Sequence, residues 1–261
     1  QYGELPWMVA LLKSNTDVNT EEEGAKNLFL GGGSLIDPRV VLTAAHKIFD
    51  KNVSVDPHMG GWALFETNHK LHQSSELHVD EWVSKNLFNR ELRKYNYALL
   101  ILERPVELGA TVGTICLPST SSQNFDGQQC IVSGWGKDIF GREGRFQRIL
   151  KLVNVNKVEH SQCQLALKST RLGSNFTLDQ SFVCAGDQGK DACTGDGGSP
   201  LVCHDPLSPG QYVQVGISAW GIGCNEKGIP GVYSDVTLVV EWIQEHLDQL
   251  HAIVDESKLA D

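Results

Sequence analysis

Cys193-Thr194-Gly195-Asp196-Gly197-Gly198-Ser199-Pro200-Leu201-Val202 is the stretch from which the fold of this chain can be read outward. A cysteine and a glycine-rich turn lead into the apolar Pro200-Leu201-Val202. The central position, 197, is a glycine, so the middle of the turn carries no side chain.

Short β-rich runs recur on either side of it between turn signals: Cys130–Gly136, Ile149–Val158, Tyr212–Ala219 and Gly231–Val236. That rhythm predicts an all-β sandwich or barrel. Further upstream, residues 5–12 (Leu-Pro-Trp-Met-Val-Ala-Leu-Leu) read as a buried strand entered through Pro6, and Leu28–Ile36 resumes the apolar pattern. Between them Lys13–Lys26, with Glu21-Glu22-Glu23, reads as a solvated surface loop rather than an acidic docking segment. The run Gly31-Gly32-Gly33 is not followed by the Lys-Ser/Thr and helix start that a phosphate cradle needs. Leu238–Leu250 breaks the β rhythm with apolar residues at 239, 240, 243, 247 and 250, the spacing of a short amphipathic helix. Asp255–Asp261 reads as a frayed tail.

The bulk numbers narrow the function. The chain has 261 residues, 41% hydrophobic and 21% charged, enough for one large all-β domain or two smaller ones. Its net charge of −10 argues against nucleic acid, which wants clustered Lys and Arg, and against anionic membrane surfaces. No apolar run approaches a transmembrane span. Gln1-Tyr2-Gly3-Glu4 lacks a signal-peptide pattern and reads as a trimmed start. Seven cysteines is an odd count: disulfides with one left over for another segment, or a set of free thiols. The absence of any Cys-x-x-Cys pair leaves structural zinc without support. Two sequons, at Asn52 (Asn52-Val53-Ser54) and Asn175 (Asn175-Phe176-Thr177), suit an extracellular glycoprotein. His69 and His72 are three apart in loop-like surroundings and make a weak metal pair, so no metal is expected.

Two further stretches complete the chemistry. Val40-Val41-Leu42-Thr43-Ala44-Ala45-His46 ends an apolar strand in a histidine, which by itself is more often structural than catalytic. Tyr95-Asn96-Tyr97-Ala98-Leu99-Leu100-Ile101-Leu102 sets an amide just before another apolar strand. Together with the Cys193 loop these segments resemble trypsin-like serine proteases, over nearly the whole chain from Pro6-Trp7 to Trp242. Gly134-Trp135-Gly136-Lys137-Asp138-Ile139-Phe140-Gly141 and Trp220-Gly221-Ile222-Gly223-Cys224 look more narrowly like the arthropod clip-domain serine protease homologs, non-catalytic relatives with glycine at the nucleophile position.

The resemblance implies two packed six-stranded antiparallel β-barrels in a single domain spanning 1–261. The first barrel would occupy about 1–116, the second about 117–236 and a C-terminal α-helix about 238–250, with a clip domain upstream of this chain. It implies a degenerate triad of His46, Asn96 and Gly197, where the family has His, Asp and Ser. An oxyanion-hole remnant would be formed by Gly195 and Gly197, and a specificity-pocket remnant by Asp191, Gly221 and Gly231. It pairs Cys130 with Cys203, Cys163 with Cys184 and Cys193 with Cys224, leaving Cys116 for an upstream segment. The family's disulfide beside the histidine is missing at both ends, with Gly31 and Lys47 in its place, removing about 2–4 kcal/mol of constraint. Gly60-Gly61-Trp62-Ala63 lacks the carboxylates of the relatives' calcium loop. Asp196 has no α-amino partner in this chain, so a zymogen-like pocket is expected.

These broken parts read as native inactivity. The implied function is that of a secreted haemolymph pseudoprotease, without cofactor. It would bind cascade proteases, prophenoloxidase or other immune proteins, and could oligomerise in its full-length form. The alternatives are an active trypsin-like endopeptidase, with Ser199 as substitute nucleophile, or a developmental or adhesive pseudoprotease.

Overall fold

The apolar runs become twelve strands in a computed structural model that describes residues 3–13, 29–48, 53–56, 77–84, 94–139, 141, 143–147, 149–186, 193, 195–224 and 226–258. Strands β1 (Met8–Lys13), β2 (Phe29–Asp37), β3 (Val40–Thr43), β4 (Val53–Asp56), β5 (Leu77–Ser84) and β6 (Ala98–Leu102) close into a barrel in the order β1-β2-β3-β6-β5-β4. Strands β7 (Gln129–Gly134), β8 (Lys151–Val158), β9 (Phe182–Gly186), β10 (Pro200–His204), β11 (Tyr212–Trp220) and β12 (Gly231–Asp235) close a second, ordered β10-β11-β12-β9-β8-β7. Every ladder between these described strands is antiparallel, and closure pairs each of them on both sides. The expected pair of six-stranded barrels is what the chain forms.

Each barrel is filled from its own strands. Val9, Leu11, Leu35, Val41, Leu100 and Leu102 fill the first; Val132, Val155, Leu201, Val213, Val215 and Tyr233 fill the second. A further layer joins the barrels: Val40, Leu42 and Leu99 meet Ile217, Val236, Val239, Ile243 and Leu247. Full burial of a side chain such as Ile243 is worth about 1.5–3 kcal/mol, so this layer fixes how the two halves sit. Tyr97 pins the same seam by donating its hydroxyl to the carbonyl of Asp235 at 2.8 Å.

The C-terminal helix departs from expectation. A 3₁₀ turn, Val236–Val239, leads into a helix that runs through Val240–Lys258, eight residues past the expected end. No Gly or Pro follows Leu250 to stop it, and Ala252, Glu256 and Lys258 favour helix, so the Asp255–Lys258 part of the expected tail is helical. Two shorter helices, α1 (Ala45–Ile48) and α2 (His160–Lys168), precede it, so it is α3 here. Helix α2 and strands β4, β5, β9 and β10 were not anticipated.

Candidate functional site

Strand β3 ends at Thr43 and α1 begins two residues later, which sets His46 at the seam between the barrels. Asn96, fully buried, precedes β6 and clamps this histidine twice. The main-chain N–H of His46 donates to Asn96 Oδ1 at 2.9 Å, and Asn96 Nδ2 lies 2.8 Å from His46 Nδ1. The first bond fixes the orientation of the amide, because the flipped form would set two donors against each other. The NH₂ group therefore faces Nδ1, which must accept, and the ring proton resides on Nε2. That nitrogen is the one turned toward Gly197: it lies 3.2 Å from where a Cβ on residue 197 would stand. It is a donor there, and a donor cannot take a proton from a nucleophile.

The loop at Gly197 is held by its own backbone. Asp196 N–H donates to Cys193 O at 3.0 Å, Ser199 N–H to Asp196 O at 2.9 Å and Gly198 N–H to Ser218 O at 2.9 Å. Gly195 and Gly198 have φ of +107° and +90°, a left-handed backbone that suits glycine. From the first barrel, Gly32 N–H donates to Gly197 O at 3.2 Å. The approach is close enough that a Cβ on Gly31 would fall 2.4 Å from Gly197 O, and one on Gly32 would fall 2.1 Å from Ser199 Oγ. The triple glycine of β2 thus admits the loop of the other barrel rather than a phosphate.

Ser199 is buried, with its Oγ between Gly32 and Gly134 and without a hydrogen-bond partner among the described residues. That places the hydroxyl in the inter-barrel packing, where no substrate carbonyl reaches it.

Asp196 turns its carboxylate into the second barrel. Oδ1 accepts from Gly136 N–H at 2.7 Å and Oδ2 from Cys193 N–H at 2.9 Å. Burial pushes the pKa of this carboxyl up, against the two N–H donors and the positive charge of Lys47. The carboxylate is thus engaged within the chain, whereas the sequence left it without a partner. Beside it lies a cavity of about 260 Å³, whose lining includes Gly134, Gly136, Lys137, Gln147, Lys151 and Asp196. Phe146 covers the outer side of the loop: a Cβ on Gly195 would meet its Cε1 at 2.5 Å.

Of the residues expected to form a specificity-pocket remnant, Gly231 is buried in β12 and Gly221 half-buried after β11, beside a Trp220 fixed edge-on by Phe176 and Phe182. Asp191 lies outside the described residues, as do Asn52, Gly60-Gly61-Trp62-Ala63, His69, His72 and most of the Lys13–Lys26 loop. Asn175 is exposed. The cysteines bond as Cys130–Cys203, Cys163–Cys184 and Cys193–Cys224, and Cys116 is exposed with a free thiol. Among the described residues no group of His, Cys, Asp and Glu is assembled to hold a metal, and no described helix is long and apolar enough to cross a membrane.

Lys47 is the site residue that the sequence did not mark as such. Its side chain lies against both Gly31 and Gly197, and its ammonium donates to Leu30 O at 2.8 Å. The one signal in the sequence was that Gly31 and Lys47 occupy the two positions of a missing disulfide.

A pH dependence follows from a second carboxyl of the seam, Asp235. Burial raises its pKa, opposed by the hydroxyl and N–H of Thr237, both of which donate to Oδ1. A raised folded-state pKa gives stabilisation that is complete below the unfolded value, about 4, and is lost as pH rises through the folded one. Asp235→Asn keeps the Oδ1 acceptor and does not ionise. The urea midpoint of this variant relative to the native chain is expected to climb as pH rises from about 4. A difference independent of pH would contradict this assignment.

Comparison with known proteins sets this geometry among relatives. The trypsin family model matches residues 1–243. Phenoloxidase-activating factor 2 of Galleria mellonella is 45% identical over 247 residues, covering 94% of this chain and 81% of that protein. The inactive CLIP domain-containing serine protease A3 of Aedes aegypti is 44% identical over 250 residues, covering 93% of this chain and 49% of the relative's length. The inactive CLIP domain-containing serine protease A8 of Anopheles gambiae is 35% identical, with 95% and 66% covered. Among solved structures, neuropsin, a serine protease expressed in the limbic system of mouse brain, superposes with a TM-score of 0.73 at 27% identity, covering 95% of this chain and 96% of its own.

Proposed function

We propose that this chain, which belongs to the trypsin family, is a secreted, catalytically inactive serine protease homolog that works by binding proteins of an extracellular proteolytic cascade. The observation that carries the inactivity is the clamp at His46. Asn96 leaves the ring a donor toward a residue 197 that has no side chain. Either change alone would cripple acyl transfer, since nucleophile, base and orienting acid act as a unit. The backbone frame around them is retained: two closed barrels, three disulfides and a hydrogen-bonded Gly195–Ser199 loop. Such a frame presents a surface without cutting it.

The proposed setting is prophenoloxidase activation, supported by the Galleria relative's name and by two relatives named inactive. The net charge of −10 leaves proteins rather than nucleic acids as the natural partners. Cys116, exposed and next to β11 through its backbone pairing with Val213, is the proposed attachment point for an upstream segment. The test is a reconstitution of full-length protein with prophenoloxidase and its activating protease, read as phenoloxidase activity. Activity should rise with the dose of homolog and saturate stoichiometrically. A catalytic dose response, saturating far below stoichiometry, would reject the reading, and so would no response at any dose.

A further inference from the structure

The lysine that replaces one end of the missing disulfide occupies the place where a nucleophile would stand. A Cβ built on Gly197 would fall 2.4 Å from Lys47 Cε, 3.1 Å from its Nζ and 3.2 Å from His46 Nε2. A serine at 197 must extend from that Cβ toward Nε2, so its hydroxyl and the end of the lysine compete for one volume. Gly31 closes on the same side chain from the first barrel, its absent Cβ 3.1 Å from Lys47 Cε and 3.2 Å from Cδ. The ammonium is anchored by its 2.8 Å bond to Leu30 O, and Lys47 is half-buried. One side chain from α1 is therefore packed between two glycines, one in each barrel.

We infer that Lys47 is a built-in plug of the former catalytic centre, and that Gly31, Lys47 and Gly197 form one interlocked unit. Glycine at 31 is required because a side chain there would strike Gly197 O at 2.4 Å and crowd the lysine stem. A side chain at 197 would have to displace the lysine stem, which Gly31 and the bond to Leu30 O hold in place. In place of a covalent bridge within the first barrel, the chain has a contact that spans both. Its positive charge lies close enough to Asp196 to favour that buried carboxylate. Restoring the triad by chemistry alone, with Asn96→Asp and Gly197→Ser, would thus leave the new hydroxyl obstructed. This holds whether or not the protein serves a cascade.

The test is a cycle between positions 47 and 197. In the Asn96→Asp/Gly197→Ser background, fluorophosphonate labelling should speed up by at least about tenfold when Lys47→Ala is added, the equivalent of about 1.4 kcal/mol in barrier. In parallel, Gly197→Ala should lower the urea midpoint of the native chain and do so by less than half as much in the Lys47→Ala background. The second arm needs no catalysis, and it still reports if the repaired variants fail to fold. Equal labelling rates with and without Lys47, or midpoint shifts at 197 that ignore residue 47, would overturn the inference. Lys47→Met, which keeps the stem and removes the charge, should behave like the native chain in the midpoint cycle if volume is what matters.

Discussion

Treated with a fluorophosphonate, the native protein is expected to take up no label. The reagent needs a hydroxyl whose proton can be removed within an oriented pocket. Residue 197 offers none, and the hydroxyl of Ser199 is buried against Gly32 and Gly134. Gly197→Ser supplies the hydroxyl but not the base. With Asn96 Oδ1 taken by the His46 N–H, the amide still presents its NH₂ to Nδ1, and the ring proton stays on Nε2. An Asp-to-Asn exchange in a serine-protease triad lowers turnover by about 10⁴. The single variant should therefore react at least about 10⁴-fold more slowly than an intact trypsin-like enzyme, and Asn96→Asp should recover part of that deficit, a carboxylate accepting from both the main-chain N–H and a proton moved to Nδ1. Stoichiometric labelling of the unaltered chain would end the pseudoenzyme reading. Rapid labelling of Gly197→Ser alone would show that Asn96 does not set the tautomer.

Much of this site was legible because its information lies in residue identity at fixed places in short motifs. His46, Asn96 and Gly197 each follow or precede an apolar strand, and the barrels bring them together. What stayed hidden was packing across long separations. The side chain of Lys47 meets Gly197 from the other barrel, and nothing local to residues 45–48 signals that a lysine turns inward rather than to water. The missed strands have a different cause. Strands β9 and β10 are buried at four of five positions each, so they carry none of the alternation that identifies a half-exposed strand. Helix α2 buries only Cys163 and Leu167, too thin a stripe to declare a period. The end of α3 escaped because its last turns carry a weaker apolar stripe than its first, leaving Ile253 exposed, so the pattern faded before the helix did.

A large loss of stability is expected at Gly136. A Cβ there would stand 2.5 Å from Cγ, Oδ1 and Oδ2 of Asp196 alike, while the N–H of the same residue holds Oδ1 at 2.7 Å. The carboxylate cannot retreat without giving up that bond and the one from Cys193 N–H, and the turn that carries it is tied at Cys193 by the disulfide to Cys224. Overpacking a tight site costs about 1–3 kcal/mol by itself. Stranding a buried charge from its partners costs about 3–5 kcal/mol. Gly136→Ala is therefore expected to lose about 3–5 kcal/mol in urea unfolding, a large part of the stability of an ordinary domain. Gly113→Ala is the matched control: its new Cβ meets only Pro6, at 3.5 and 3.6 Å, and the change should stay within about 0.5 kcal/mol. Asp196→Ala separates the two causes. Combined with Gly136→Ala it should lose much less than the sum of the single changes, because the atoms that the methyl strikes are gone. A loss at Gly136→Ala of under about 1 kcal/mol would mean that the loop carrying Asp196 yields to the methyl, and that Asp196 is not its rigid anchor.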